Sequence, residues 1–333
     1  MTEESSTTSH LSVAVTTAED DETQTAGGNS GSLDQVYMGW VVIVIGIVGT
    51  AGNGLILYAL VASKEHKKHP LIVNQNALDL FSSFFLILNY AVQLSDIKYT
   101  GASGYWLCVT LTSGVFLWCG LIGSVVNLAI ISIERYLKVV RHAWSNKHLR
   151  PWMTYSAMAF AWFAGIITNI PFMLETSGVI DGVCYFWVLY KTNAARIFSV
   201  IWYIVAYYVI ILVIFVYCYW HILATIRHQA KVMASHGSST FQAQSHQIQT
   251  NVIKTMFLVC VFYAIAWLPC NVYYVFIMIE PNLTYINSLW YASLFAAFIY
   301  TCANPFIYAT KYDPVRGILR DMIPCKKTSV QST

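Results

Sequence analysis

Seven long apolar runs constrain this chain more than any other feature of its sequence. A helix needs roughly 20 mostly apolar residues to cross a bilayer. Charged residues make up only 11% of the chain, whereas a soluble domain typically carries about 25%, so a large soluble helical core is disfavoured. The runs predict an all-α fold, a bundle of seven transmembrane helices. They cover residues 36–63, 71–94, 106–139, 152–174, 195–227, 253–279 and 286–310.

The charges between the runs predict the orientation of the bundle. Of the 19 Lys and Arg residues, all except Lys98, Lys191 and Arg196 lie in or beside segments that face the cytoplasm if the N-terminus is outside. Because short cytoplasmic loops carry an excess of Lys and Arg, we expect an extracellular N-terminus.

The chain divides into three predicted parts. Residues 1–35 are acidic and rich in Ser and Thr, which is typical of a disordered extracellular tail. Residues 36–311 form the membrane domain, and residues 312–333 a cytoplasmic end that begins with a short amphipathic helix on the membrane surface. Cys325 is a candidate for palmitoylation, although an unmodified thiol fits nearly as well. Asn282 begins a glycosylation acceptor sequence in a predicted outer loop.

Glu134-Arg135-Tyr136 ends the third run. An Arg at the hydrocarbon boundary is costly unless a partner or a water-filled opening satisfies it. An acidic residue precedes this Arg and a basic loop follows it, which predicts a polar switch at the inner face of the bundle.

Asp79 is the only charged residue near the middle of a run. A carboxylate there is expensive and usually faces a wet interior. Other runs supply Asn53, Ser124, Asn127 and Asn304 at matching depths. Carboxylate, hydroxyl and amide oxygens are hard ligands that suit Na⁺, so an ion-linked polar cluster is favoured over a protonated structural acid.

Two prolines, Pro269 and Pro305, fall inside predicted spans, where each removes a backbone hydrogen bond and kinks its helix. Together with the polar motifs they resemble the pattern of a rhodopsin-like (class A) G-protein-coupled receptor over about residues 36–325. In helix order, the residues that carry the resemblance are Gly52-Asn53, Asn76 to Leu80, Ser124 with Glu134-Arg135-Tyr136, Trp162, Tyr219 with Ile222, Trp267-Leu268-Pro269 and Asn304 to Tyr308.

The resemblance implies a function as well as a fold. It implies a plasma-membrane receptor that binds an extracellular ligand and activates a heterotrimeric G protein. Arrestin, a receptor kinase and membrane lipid are further expected partners, and nucleic acid is not. The rival interpretation, a transporter or channel, needs several intramembrane charges or a continuous polar path. An enzyme is not expected, because no nucleophile–base or metal pattern is evident.

The resemblance also implies roles for particular residues. Asp79, Ser124 and Asn304, with Asn53 nearby, belong to the sodium pocket of the family. Cys108 and Cys184 form its disulfide. The inner switch, which engages the G protein when the sixth helix swings outward, comprises Glu134, Arg135, Tyr136, Tyr219 and Tyr308.

Four departures from the family pattern modify these expectations. Cys108 lies 27 residues before Arg135, two more than usual, so either the outer end of the third helix is irregular or the disulfide register is shifted. Ile211 stands where the fifth helix usually has a proline, which makes the usual bulge doubtful. Gln249 replaces a common acidic partner of Arg135. Tyr263 replaces a common Phe one turn before Trp267.

Two further residues narrow the range of ligand classes. Leu117 stands where amine receptors carry an aspartate, and Phe298 where opsins carry the Schiff-base lysine, so we expect neither an amine nor retinal. What remains is an aromatic, nearly uncharged cup, covered by Tyr185-Phe186-Trp187, which suits an apolar ligand or an aromatic peptide end. Its predicted walls are Leu117, Trp118, Tyr203, Tyr207, Trp267, Tyr274, Tyr291, Leu294 and Phe298.

Overall fold

The computed structural model of the chain describes residues 30–95, 97–187, 189–236, 240–279, 287–311 and 316. The predicted C-terminal surface helix lies outside these residues, apart from Arg316, as do Cys325 and Asn282. Seven long helices, numbered here in chain order, dominate the described part. They are Ser30–Ala62; Pro70–Gln93; a third in two pieces, Gly101–Leu107 and Val115–Val139; Pro151–Thr176; a fifth in two pieces, Asn193–Ile204 and Ile210–His236; Thr240–Ile279; and Asn287–Lys311.

Six helical segments of the described part are long and apolar enough to cross a membrane. They are Val36–Ala62, Pro70–Gln93, Gly101–Val139, Pro151–Thr176, Asn193–Val232 and Ile253–Phe276. The seventh helix packs between the first and the sixth.

The third helix is the centre of the bundle and packs against the second, fourth and fifth. In its most apolar stretch 83% of the residues are buried inside the protein, against 17% for the fifth helix. The fourth helix approaches so closely that a Cβ atom on Gly165 would collide with the backbone carbonyl of Cys119. Small residues permit this kind of close backbone packing between membrane helices.

A β-hairpin covers one end of the bundle. Its strands, β1 (Gly178–Ile180) and β2 (Val183–Tyr185), pair antiparallel. Asp181 and Gly182, with φ of 51° and 79°, make the tight turn between them. Cys184 on β2 is bonded to Cys108, with Cα atoms 5.5 Å apart, which confirms the predicted disulfide. We call this end the disulfide end, and the opposite end, which carries Arg135, the arginine end.

The third helix is irregular where its sequence spacing departs from the family pattern. A π-turn spans Cys108–Thr112, and Gly114 adopts a left-handed φ of 73° before the helix resumes. The Asn89 side chain of the second helix donates to the carbonyls of Leu111 (2.7 Å) and Thr112 (2.9 Å). The extra residues are therefore absorbed in a wide turn whose carbonyls are satisfied by a neighbouring helix.

The fifth helix also contains a π-turn, Val205–Val209, so the bulge that the missing proline made doubtful is present. Ile211 stands where a proline usually forces the bulge. Here a tyrosine takes over, because the Tyr263 hydroxyl of the sixth helix donates to the Tyr207 carbonyl inside the turn, at 2.6 Å. A hydroxyl from outside the helix can stabilise the same wide turn without a proline.

Candidate functional site

A cavity of about 370 Å³ lies at the disulfide end, between the third, fourth, fifth, sixth and seventh helices. Its polar lining consists of Thr168, Asn169, Glu175, Ser199 and Asn271. Glu175 is paired with Lys191 at 3.1 Å, so the cavity presents little net charge. The aromatic lining is larger, and comprises Trp118, Phe172, Trp187, Phe198, Trp202, Tyr203, Trp267, Tyr274 and Trp290. Its size and lining are typical of a small-molecule site.

Three tryptophans form a column through this cavity. Trp187, from the loop after β2, lies edge-to-face against Trp118 with ring centroids 4.8 Å apart. Trp118 in turn contacts Trp267 at 6.1 Å, two residues before Pro269 in the sixth helix. The column therefore connects the loop at the disulfide end to a helix kink.

The loop end of the column has an unusual backbone conformation. Trp187 has φ of 66°, which is rare for an aromatic residue and persists only when its surroundings hold it. Its indole N–H donates to the sulfur of Met173 at 2.8 Å. At the other end of the column, the buried Nε1–H group of Trp267 has no hydrogen-bond partner in the described part of the structure. A ligand acceptor or a water can satisfy that group.

Four of the nine predicted pocket residues line the cavity, namely Trp118, Tyr203, Trp267 and Tyr274. The other five pack around it: Leu117, Leu294 and Phe298 are buried among the helices, Tyr291 is half-buried, and Tyr207 shares a hydrogen bond with Thr168.

The sequence reasoning missed the wall that the fourth helix supplies. Thr168, Asn169, Phe172 and Met173 line the cavity from this helix. Their spacing of one, three and one residues places them on one helix face, and a polar Asn within an apolar run was the signal that could have revealed it.

A chain of hydrogen bonds crosses the middle of the bundle to Asp79. The Trp162 indole donates to Asn74 Oδ1 (3.0 Å), Asn74 Nδ2 to Asn127 Oδ1 (2.9 Å), and Asn127 Nδ2 to Gln75 Oε1 (2.8 Å). Gln75 Nε2 then faces the carboxylate of Asp79, 3.5 and 3.4 Å from its two oxygens. We call this chain the amide relay. Sequence reasoning grouped Asp79 with Asn127 but missed Gln75.

Asp79 is fully buried and receives two further hydrogen bonds. Ser124 donates to its Oδ1 at 2.6 Å, and Asn304 Nδ2 donates to its Oδ2 at 2.5 Å. The structure therefore brings Asp79, Ser124 and Asn304 together. Asn53 lies apart, donating to the carbonyls of Gly49 (2.9 Å) and Thr301 (3.0 Å).

The groups that face the Asp79 carboxylate are hydrogen-bond donors. A cation needs oxygen lone pairs turned towards it, and the groups turned towards this carboxylate are N–H and O–H donors. Asn53 Oδ1 and Asn304 Oδ1 have no hydrogen-bond partner among the described residues, and such oxygens suit water. The position that bridges Asp79 and Ser124, however, holds the nitrogen of Gln75.

At the arginine end, Arg135 is held by its own helix and by the first loop. Arg135 Nη2 lies 3.2 Å from Glu134 Oε2, and Lys138 Nζ lies 2.6 Å from Glu134 Oε1. The Nη2 atom is also 3.4 Å from Nδ1 of His69, a contact that sequence reasoning missed. Among the sixth-helix side chains that the structure describes, none forms a salt bridge with Arg135.

Two further predicted switch residues, Tyr136 and Tyr219, lie on the fifth-helix side. The Tyr136 and Tyr217 hydroxyls are 3.5 Å apart. Tyr219 is buried, and its ring centroid is 5.3 Å from that of Phe257 in the sixth helix. The side chains of Tyr308 and Gln249 lie outside the described part of the structure.

Two tyrosines join the fifth and sixth helices between the cavity and the arginine end. The Tyr208 hydroxyl of the fifth helix donates to the Ala264 carbonyl of the sixth at 2.8 Å. The Tyr263 hydroxyl of the sixth donates to the Tyr207 carbonyl of the fifth. Because each helix supplies one hydroxyl and one carbonyl, we call this pair of bonds the tyrosine clasp.

Comparison with known proteins identifies the class of this protein. Residues 52–308 match the family model described as 7 transmembrane receptor (rhodopsin family). The chain belongs to that family, whose members are G-protein-coupled receptors that span the membrane and transduce signals. The crystal structure of squid rhodopsin superposes with a TM-score of 0.73 and 18% sequence identity, over 88% of this chain and 86% of that one. The predicted seven-helix bundle is thereby confirmed.

The curated relatives include melanopsins and a peptide receptor. Melanopsin-A of Gadus morhua is 27% identical over 308 residues, covering 85% of this chain and 52% of the relative. Melanopsin of Homo sapiens is 23% identical over 311 residues, covering 86% of this chain and 62% of the relative. The Tachykinin-like peptides receptor 99D of Drosophila melanogaster is 26% identical over 293 residues, covering 81% of this chain and 54% of the relative. The chain thus spans about half the length of the first of these relatives.

Proposed function

We propose that this protein is a plasma-membrane receptor that converts ligand binding in the aromatic cavity into activation of a heterotrimeric G protein. The observation that carries the proposal is the tryptophan column, which connects the loop that covers the cavity to Trp267 beside the Pro269 kink. A ligand that contacts this column differently in two arrangements of the sixth helix shifts the population between them.

The proposed orientation places the disulfide end outside the cell. A disulfide persists in an oxidising compartment, and Cys108–Cys184 lies at that end. The loop that follows Arg135 at the opposite end carries Arg141, Lys147 and Arg150, as cytoplasmic loops do. On this orientation a G protein meets Arg135 at the cytoplasmic face, and arrestin and a receptor kinase are proposed as later partners of the same face.

The proposed ligand is apolar or weakly polar and is not covalently bound retinal. Melanopsins are among the relatives, but a Schiff base requires a lysine amine. Phe298 stands at the corresponding place, and residues 286–310 contain no lysine. The cavity offers aromatic walls and a donor at Trp267, so a flat ligand with a hydrogen-bond acceptor, or an aromatic peptide end, suits it.

The proposed switch is the Arg135 contact set. In the resting arrangement Glu134 and His69 hold Arg135. When the sixth helix moves outward, Arg135 becomes available to the G protein. Because the described part of the sixth helix has no salt bridge to Arg135, the resting state depends on local contacts and on the tyrosine clasp, so we expect measurable basal activity.

The test is a ligand screen on cells that express the receptor, read by a panel of G-protein activation sensors. Peptides, lipids and retinal are included as probes. We expect at least one sensor to respond, with basal and evoked signals lost in Arg135→Ala at unchanged surface expression. Signals that persist in Arg135→Ala contradict the switch. Ion currents or solute flux without any sensor response favour a transporter or channel.

A further inference from the structure

The nitrogen of Gln75 lies beside the Asp79 and Ser124 oxygens that a cation bound to this site would use. Gln75 Nε2 is 2.5 Å from Ser124 Oγ, and 3.5 and 3.4 Å from the two carboxylate oxygens of Asp79. The family resemblance assigns the same Asp and Ser oxygens to a sodium ion. An ion that bridges them and the amide nitrogen require the same space, so only one of the two can be present.

The amide relay fixes which end of Gln75 faces Asp79. An indole N–H can only donate, so the Trp162 contact makes Asn74 present its oxygen there and its nitrogen to Asn127. Asn127 then presents its own nitrogen to Gln75 Oε1. The ionised carboxylate of Asp79 can only accept. Both ends of the relay therefore require Gln75 Nε2 to point at Asp79, and no amide can be flipped alone without facing two like groups.

A cation can enter only by displacing this amide. Displacement leaves the buried Asn127 with one acceptor fewer and moves a polar side chain that is 0% exposed. Unmaking such buried hydrogen bonds opposes ion binding, while Asp79 already has donors from Gln75, Ser124 and Asn304. The carboxylate is thus satisfied by neutral groups from the protein itself.

We propose that the Gln75 side-chain amide takes the place of the sodium ion at Asp79, which makes this receptor insensitive to sodium. Removal of the amide vacates the position next to Asp79 and Ser124, and creates a sodium site from oxygens that are already in place. This proposal does not depend on the ligand or on G-protein activation.

The test measures the thermal stability of the purified receptor in NaCl and in choline chloride at equal ionic strength. For the parent protein we expect equal melting temperatures in the two salts. Gln75→Leu ends one atom short of the Nε2 position and so vacates it while remaining apolar and buried, and should melt about 2–4 °C higher in NaCl than in choline chloride. Addition of Asp79→Asn should abolish that difference. Gln93→Leu removes an amide from the same helix away from Asp79, and should show no sodium-specific shift.

A parent protein that NaCl stabilises specifically, with the effect lost in Asp79→Asn, overturns the proposal. A folded Gln75→Leu protein without a sodium-specific shift overturns it as well. Should Gln75→Leu fail to fold, Gln75→Ala is measured in the same way, and the comparison of the parent with Asp79→Asn decides independently of either variant. None of these outcomes bears on G-protein activation, so the proposed function is tested separately.

Discussion

The two π-turns of the bundle share a backbone distortion and differ in what holds them. In the third helix the turn Cys108–Thr112 is tied to the second helix by the amide of Asn89, which donates to two carbonyls at once. In the fifth helix the turn Val205–Val209 is tied to the sixth helix by the hydroxyl of Tyr263. The third-helix turn is thus attached to the second helix. The fifth-helix turn is attached to the sixth helix, which contains Pro269.

This comparison indicates that a π-turn can serve as a fixed scaffold in one helix and as part of a movable contact in another. The Asn89 amide adds a donor from the second helix to carbonyls that also accept from Gly114 N and from Gln93. It thereby ties the third-helix turn to the second helix, so this turn works as scaffold. A hydroxyl–carbonyl bond contributes roughly 0.5–1.5 kcal/mol, and about 0.6 kcal/mol on average between membrane helices. Two such bonds are strong enough to bias the sixth helix and weak enough to open, so we infer that the tyrosine clasp works as a latch.

The largest effect is expected from breaking the scaffold turn. Asn89→Leu removes its bonds to the Leu111 and Thr112 carbonyls and its bond from Gln93. Each lost bond costs about 0.5–1.5 kcal/mol, because Gly114 N and Gln93 still serve the two carbonyls. We expect a clear fall in folded receptor, measured as surface expression. Gln93→Leu removes one bond to Thr112, which Asn89 still serves, and should lower expression much less. Equal expression of Asn89→Leu and the parent would refute the scaffold role.

Breaking the latch should raise activity and leave the fold intact. Tyr208→Phe with Tyr263→Phe removes both hydroxyls of the clasp and keeps the rings. At about 1–2 kcal/mol for the pair, the active population should rise roughly 5–30-fold, measured as basal nucleotide exchange normalised to surface receptor. Tyr155→Phe is the matched control, because this tyrosine lies exposed on the fourth helix, away from the cavity, and the described hydrogen bonds include none to its hydroxyl. A double variant with parental basal exchange is incompatible with a latch.

Each half of the clasp should contribute separately. Tyr263→Phe alone removes the donor to the π-turn, and should raise basal exchange about 2–5-fold. Tyr208→Phe should act similarly on Ala264. Because the two bonds span one interface, a double-mutant cycle should reveal coupling between them. If the basal exchange of one single variant equals that of the double variant, the other hydroxyl plays no part in the latch.

The smallest effect on basal exchange is expected from breaking the hydrogen bond between the fourth and fifth helices. The Thr168 and Tyr207 hydroxyls share a hydrogen bond between the fourth and fifth helices, away from the sixth. Thr168→Val should therefore change basal exchange by less than about twofold. An increase as large as that of the double tyrosine variant would show that the fifth helix, rather than its bond to the sixth, is the restrained element.

The seven helices could be predicted from the lengths of the apolar runs, and the disulfide from the family resemblance. The position of Cys108 left an irregular third helix as one of two alternatives. The fifth-helix π-turn could not be predicted, because the expectation relied on the proline that Ile211 replaces. Tyr263 was recognised as unusual, but its acceptor, a carbonyl in another helix, exists only in the tertiary fold.

The candidate sites divide in the same way. Asp79, Ser124 and Asn304 could be grouped because polar residues within apolar runs are conspicuous. Gln75 was missed, since its position at the centre depends on the amide relay from Trp162. The cavity wall on the fourth helix depends on helix rotation, which apolar runs specify poorly.

Basal nucleotide exchange in one four-way comparison tests the central claim most directly. The proteins are the parent, Arg135→Ala, the variant with Tyr208→Phe and Tyr263→Phe, and the triple variant that combines these changes, each normalised to surface receptor. Loss of the clasp should raise exchange, and Arg135→Ala should return it to background in both settings, because the latch acts on the sixth helix and the output passes through Arg135. Elevated exchange that survives in the triple variant would contradict the account.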